Sequence, residues 1–268
     1  MHYLVPVDFS ENSLQALDLA LALATSKVDR ITVVHVVETH YDFANQAAVF
    51  TQMQAREGKK RGKELLAKHE DSQVTLKFKL EEGKSSLQIS QLAKKLKIDL
   101  IVMGTQGASG ITKSLIGTVA VSVIREAPCP TLVVPSTATK INPNQFVLGL
   151  EFADHEPPHL DWLAKQLKKW NGHLQVVHVY PSDKQEFKKV LLELGIKQYL
   201  SKKYPSLKAE FIPLSGEKPA ETLGTFMKSQ TGILVMSHAH RGFWEELFTK
   251  SESIQLAFRT QIPLLILR

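Results

Sequence analysis

The sequence predicts an α/β protein built from two consecutive open parallel sheets, each of five strands and flanked by helices. Three observations carry that expectation. Apolar, β-branched runs alternate with helix-periodic stretches through the first 135 residues, the second half repeats landmarks of the first, and one strand runs through a glycine-spaced loop straight into a helix.

The first run, His2 to Val7, is mostly apolar, as a strand covered on both faces should be. It ends at Pro6-Val7-Asp8. Ser10 then precedes a helical pattern of Leu14, Leu17, Leu21 and Ala24, with Glu11 favouring the dipole in the first turn and only a weak capping signal in the pair Ser10 and Ser13. Arg30 to Val37 has the composition of a central parallel strand. Residues 42 to 69 read as a long helix, irregular near Asn45 and interrupted near Gly58. Val74 to Leu80 alternates, which places that strand towards an edge; Gly83 stops it, and Ser86 to Leu96 form the next helix. Leu100 to Met103 is a buried strand, a helix runs from near Leu115 to Glu126, and Thr131 to Val134 is the last strand. The alternation calls for helices on both faces of a parallel sheet.

The second half echoes the first without gaps in two places. Val176-Val177-His178-Val179 repeats Val33-Val34-His35-Val36, each histidine lying 27 residues after an acid-Phe pair, Asp8-Phe9 and Glu151-Phe152. Ile233 to Ser237 repeats the strand ending at Gly104, and from each of those end residues a proline follows 26 positions on, Pro130 and Pro263. Duplication follows, with the later copy shortened between the two matches. The expected domains are 1–138 and 145–268, joined by a polar linker over 139–144.

The loop after Met103 carries Gly104, Gly107, Gly110 and then Gly117-Thr118. Glycines at a strand's end let backbone amides approach a bulky anion, and a helix opening there offers unpaired N–H groups and a positive dipole end. Ligands of open parallel sheets sit outside the carboxyl ends of the strands where the order reverses, so Asp8 and Gly104 would share one crevice if their strands are the neighbours there. Asp8 would accept from a ribose or a base edge, Val36 would offer backbone groups and an apolar wall to adenine, and the amides around Gly107, Gly117, Thr118 and Val119 would hold phosphates. The competing reading makes these glycines tight turns only and Asp8 a cap of the first helix. In the second copy the equivalent positions are Ser237, His240, Phe243 and Lys250-Ser251, so a side chain stands wherever bare backbone was needed.

Composition narrows the classes. No apolar run reaches the length of a membrane span, the first residues lack the build of a signal peptide, and a single cysteine, Cys129, read as a small buried residue, fits a reducing cytoplasm. The net charge of +6 is spread, with 16 Lys+Arg against 14 Asp+Glu up to Pro135 and 17 against 13 after it. The densest basic cluster, Lys59 to Lys63, lies in a predicted helix without aromatics to stack bases, so no nucleic-acid partner is expected. His35 and His178 read as hydrogen-bonded histidines at the core's edge. His238 and His240 lack a visible third ligand for a metal, and Lys113 lies four residues before Gly117, the wrong place for a P-loop lysine.

The spacing G-x2-G-x9-G-[ST] at Gly104, Gly107, Gly117 and Thr118 resembles the signature of the universal stress protein (UspA) family. The opening VPVDFSENSLQALDLALALA also resembles that family's first strand and helix, including the Asp at the strand's end (Asp8), and the closing APCPTLVVP its last strand. The resemblance is strong over residues 1–135 and degenerate over 145–268. It implies a Rossmann-like, adenine nucleotide alpha hydrolase-like sheet of order 3-2-1-4-5 and pairing of the two domains through Thr131–Val134 and Leu264–Leu267. It implies ATP as ligand; with Asp8 the only nearby carboxylate, a bound Mg²⁺ would be held by the phosphates themselves. Position by position, Pro6, Asp8 and Val36 would surround adenosine, and Met103, Gly104, Gly107, Gly117, Thr118 and Val119 the phosphates. The function expected is a cytoplasmic nucleotide-binding stress-response module with one competent site and a degenerate second domain, with homo-oligomers open. The alternatives are a scaffold that binds no nucleotide and a slow ATPase or phosphoryl-transfer enzyme. No catalytic constellation is evident, so at most weak hydrolysis is expected.

Overall fold

The computed structural model describes residues 1–38, 44–105, 117–138, 140–150, 160–180, 194–195, 197–198, 200–205, 207, 209–237 and 262–268. The chain divides into two compact units, Met1–Ser136 and Thr137–Arg268.

In the first unit, β1 (His2–Pro6), β2 (Arg30–Val37), β3 (Thr75–Glu82), β4 (Leu100–Gly104) and β5 (Thr131–Val134) are joined by α1 (Glu11–Leu23), α2 (Ala44–Lys68), α3 (Ser85–Leu96) and α4 (Thr118–Glu126). All strands are parallel in the order β3-β2-β1-β4-β5, the order that the family resemblance implied. Central β1 is the reason the sheet is two-sided. Tyr3, Leu4 and Val5 are fully buried, and the Tyr3 hydroxyl donates to Leu23 O at 2.9 Å, so its one polar atom is satisfied inside the core. The alternating β3 is the edge strand its pattern predicts.

Helix α2 differs from expectation. It runs unbroken through Gly58, because that glycine serves packing and not termination. A Cβ at Gly58 would stand 2.8 Å from the His35 ring, and one at Gly62 would stand 2.4 Å from the Phe78 ring. Both glycines lie on the face that carries buried Ala55 and Leu65, and they let the helix sit close on β2 and β3. The cap of α1 is also better built than its sequence signal. Ser13 N–H donates to Ser10 Oγ at 3.3 Å, and Ser13 Oγ donates back to Ser10 O at 2.9 Å.

The second unit contains β6 (Gln145–Gly149), α5 (Leu160–Lys169), β7 (His173–Tyr180), β8 (Ala209–Ser215), α6 (Pro219–Met227), β9 (Ile233–Ser237) and β10 (Leu264–Leu267). Its strands are parallel in the order β8-β7-β6-β9-β10, which is the order of the first unit copy for copy. Its core centres on Phe146, fully buried and stacked on Trp170 at 5.4 Å, beneath Leu163 and Leu167 of α5.

The duplication extends to single hydrogen bonds. Val7 N–H to Val34 O (2.8 Å) recurs as Leu150 N–H to Val177 O (2.9 Å), and Ile101 N–H to Pro130 O (3.1 Å) recurs as Leu234 N–H to Pro263 O (2.9 Å). Gly83 N–H to Val37 O has its counterpart in Gly216 N–H to Tyr180 O, so the shortening of the second copy falls between Tyr180 and Gly216. His35 Nδ1 meets Val7 O at 2.8 Å and His178 Nδ1 meets Leu150 O at 3.0 Å. A carbonyl only accepts, so both rings carry the proton on Nδ1. These are the hydrogen-bonded histidines that the repeated strand pattern suggested.

Candidate functional site

The site begins with where three strands stop. Strands β2, β1 and β4 lie side by side, and β1 leaves the sheet after Val7 to enter α1. Val34 O points towards β1, where it accepts from Val7 N–H. The main-chain groups of a strand alternate sides, so Val36 directs its N–H and C=O the same way, past the end of β1. A cavity of about 300 Å³ opens at that point, at the lower end of the range for small-molecule sites.

Of the residues that the sequence suggested, Pro6, Asp8 and Val36 line one part of this cavity, and Met103, Gly104, Gly117, Thr118 and Val119 line another. Gly107 lies outside the described residues, as do Gly110, Lys113, Glu151, Phe152, His238, His240, Phe243, Lys250 and Ser251.

The glycines do different work. A Cβ on Gly104 would stand 2.6 Å from Asn12 Oδ1, and buried Asn12 in turn donates Nδ2 to Val134 O at 2.9 Å. Gly104 is therefore bare so that the start of α1 can be tied across to the end of β5. A Cβ on Gly117 would stand 2.7 Å from Thr105 O, and the Gly117 N–H is itself committed to that oxygen at 2.6 Å. Gly117 therefore shapes the entry to α4 without donating to a ligand. The first N–H groups of a helix have no intrahelical partner, so the donors that α4 offers here belong to Thr118, Val119 and Ala120, all three on the cavity wall.

Asp8 both lines the cavity and organises the turn. Its Oδ1 accepts from Ser10 N–H at 3.0 Å and from Ser10 Oγ at 2.6 Å, so Asp8 holds the capping serine while Ser10 makes the cap itself. The next residue, Phe9, has φ of +62°, an outlier for a bulky side chain that costs about 1–3 kcal/mol and persists only where its surroundings fix it. They do. The Phe9 ring packs 4.9 Å from the His35 ring, the Arg61 guanidinium stacks over it at 4.5 Å, and Arg61 Nη2 donates to Phe9 O at 3.4 Å. With His35 on Val7 O, the residues on both sides of Asp8 are held from β2 and α2.

The sequence reading missed Ser13, Glu38, Ser85 and Ile89, which also face the cavity. The period-two row Val34, Val36, Glu38 was the available signal for Glu38, since alternate residues of a strand share a face. Glu38 Oε1 accepts from Ser85 N–H at 3.1 Å, so this carboxylate caps α3. Among the described residues no cluster of three His, Cys, Asp or Glu side chains is arranged to hold a metal, and no helix is long and apolar enough to cross a membrane.

Comparison with known proteins agrees with this geometry. A universal stress protein of Methanocaldococcus jannaschii is 33% identical over 135 residues, a match covering 48% of this chain and 79% of the relative. The crystal structure of a universal stress protein from Archaeoglobus fulgidus superposes with a TM-score of 0.72 at 19% identity, covering 100% of this chain and 96% of the other, which is a likeness of fold. The universal stress protein family model matches residues 1–135, the unit that holds the glycine loop, Asp8 and the cavity. On that match across half of its length, the chain belongs to the universal stress protein family.

Proposed function

We propose that the first unit binds an adenine nucleotide, with ATP as the expected ligand and any Mg²⁺ carried by its phosphates, and that the protein acts as a nucleotide-dependent stress-response module. The observation behind this reading is one cavity with two chemically different ends, at the reversal point of a parallel sheet. At one end, the N–H groups of Thr118, Val119 and Ala120 and the dipole of α4 suit phosphate. At the other, Val34, Val36 and Ile89 form an apolar wall and the Val36 main chain supplies a donor and an acceptor, which suits a purine edge. Asp8 lies on the strand between them, where an acceptor suits ribose hydroxyls.

The second unit keeps the sheet and, by its sequence, lacks the glycines, so in this reading it binds no nucleotide and serves pairing or partner contacts. Within its own unit each of β5 and β10 is the last strand in the order, and Leu132–Val134 and Leu264–Leu267 are apolar. Such edges favour pairing, and we assign them to each other. Mass spectrometry of small molecules released from natively purified protein, followed by equilibrium dialysis with ATP, tests the reading. An adenine nucleotide released or bound supports it, and protein that is empty and takes up no ATP contradicts it.

A further inference from the structure

We infer that Glu38 is a specificity-determining residue of this site, accepting a hydrogen bond from the exocyclic amine of the base; the inference rests on the nucleotide reading above.

Val34, Val36 and Glu38 are successive members of one face of β2 and its continuation, and all three line the cavity. Residues two apart in a strand are separated by about 6.6 Å, so a ring lying on Val34 and Val36 ends close to Glu38. Its apolar cover from the other side is Ile89 of α3, buried and also on the cavity wall. Glu38 then meets the rim of the ring and not its face.

Charge fixes the orientation of the ligand. The N-terminus of α4 follows β4, Glu38 follows β2, and β1 separates those strands. Neighbouring strands lie about 4.8 Å apart, so the two ends of the site are about 10 Å from each other. An anionic group is drawn to the α4 end and is disfavoured beside the Glu38 carboxylate at the other. The group arriving at Glu38 must therefore be a donor.

Glu38 already acts as an acceptor in the structure. Its Oε1 receives Ser85 N–H at the opening of α3, where the helix dipole favours a negative charge. A carboxylate has about four acceptor positions across two oxygens, so a backbone N–H on Oε1 does not by itself fill them. An adenine amine carries two hydrogens. One suits the Val36 carbonyl and the other Glu38, while the Val36 N–H suits the neighbouring ring nitrogen. A base with an oxygen in place of the amine would set two acceptors against each other.

The test is a variant-by-ligand cycle on the full chain, with ATP and purine riboside triphosphate, which lacks only the amine. Calorimetry is run on wild type, Glu38→Gln and Glu38→Ala, with thermal melts of each. Wild type should prefer ATP by about tenfold. Glu38→Ala should bring the two ligands within about twofold, and Glu38→Gln, whose oxygen can still receive Ser85 N–H, should fall between without a lowered melting temperature. If Glu38 only caps α3, its removal weakens both ligands equally and the ratio stays unchanged, which overturns the inference while leaving nucleotide binding intact. If wild type binds neither ligand, the nucleotide reading and this inference fall together.

Discussion

The two units have the same strand order and differ in sequence at one loop. Strand order, the bond from Val7 to Val34 and its counterpart from Leu150 to Val177, and the Nδ1 contacts of His35 and His178 are common to both. Gly104, Gly107 and Gly117-Thr118 stand against Ser237, His240 and Lys250-Ser251. The fold and the cradle therefore rest on separable parts of the sequence. A parallel sheet needs apolar strands buried on both faces, and that demand is met twice. The glycines that allow the close approaches to Asn12 and Thr105 in the first unit have no glycine opposite them in the sequence of the second.

Substitutions in the first unit, three of them to the residue of the second, probe this separation. The largest effect is expected from Gly117→Lys. The new Cβ meets the Thr105 carbonyl at 2.7 Å and displaces the first turn of α4, so ATP affinity should fall roughly 100-fold. Calorimetry at matched protein concentration measures this, and undiminished affinity would remove α4 from the site.

Gly104→Ser is next. Its side chain enters the space of Asn12, 2.6 Å from Oδ1, and threatens the Asn12–Val134 bond, so urea unfolding should show a loss of about 1–3 kcal/mol. An unchanged unfolding midpoint would mean that α1 has room to yield.

A smaller effect belongs to Arg61→Ala. This removes an exposed cation–π contact of about 0.5–1 kcal/mol from the strained Phe9, and ATP binding should weaken about two- to fivefold although Arg61 does not line the cavity. No change in dissociation constant would show that Phe9 is held well enough by His35 and Phe78.

The smallest effect concerns pH. Burial, aided by the Arg30 guanidinium, holds the His2 imidazole below its ordinary value of 6.5. The unfolded chain thus binds the proton more readily than the folded one. The stability tied to neutral His2 is full above about pH 6.5 and is lost as pH falls through the lowered value. The residue equivalent to His2 in the second unit is Gln145, which does not titrate. His2→Gln should flatten part of the acid dependence of unfolding, and an unaltered pH profile would dismiss His2 as its source.

Much of this was legible in the chain. Burial on both faces writes itself as runs such as Val33-Val34 and Leu100-Ile101-Val102, and a two-sided sheet follows. Of the nine residues singled out for the site, eight fall on the cavity and Gly107 lies outside the described residues. What escaped depended on partners remote in sequence. Gly58 reads as a helix breaker until His35 and Leu80 are seen against it, and Glu38 reads as an ordinary strand end until α3 presents Ser85. Local preference argues against Phe9 in a left-handed conformation, and only the packing of Arg61, His35 and Phe78 imposes it. The assignment of Gly117 as a donor failed for a similar reason, because the oxygen that takes its N–H belongs to Thr105, twelve residues earlier.

The central claim is asymmetry: one nucleotide site in a chain with two copies of the fold. Calorimetric stoichiometry with ATP, for wild type and Asp8→Ala, tests it most directly. The account predicts one nucleotide per chain, with binding lost or weakened at least about tenfold in the variant. Two nucleotides per chain, or a single one bound with unchanged affinity after Asp8→Ala, would contradict it.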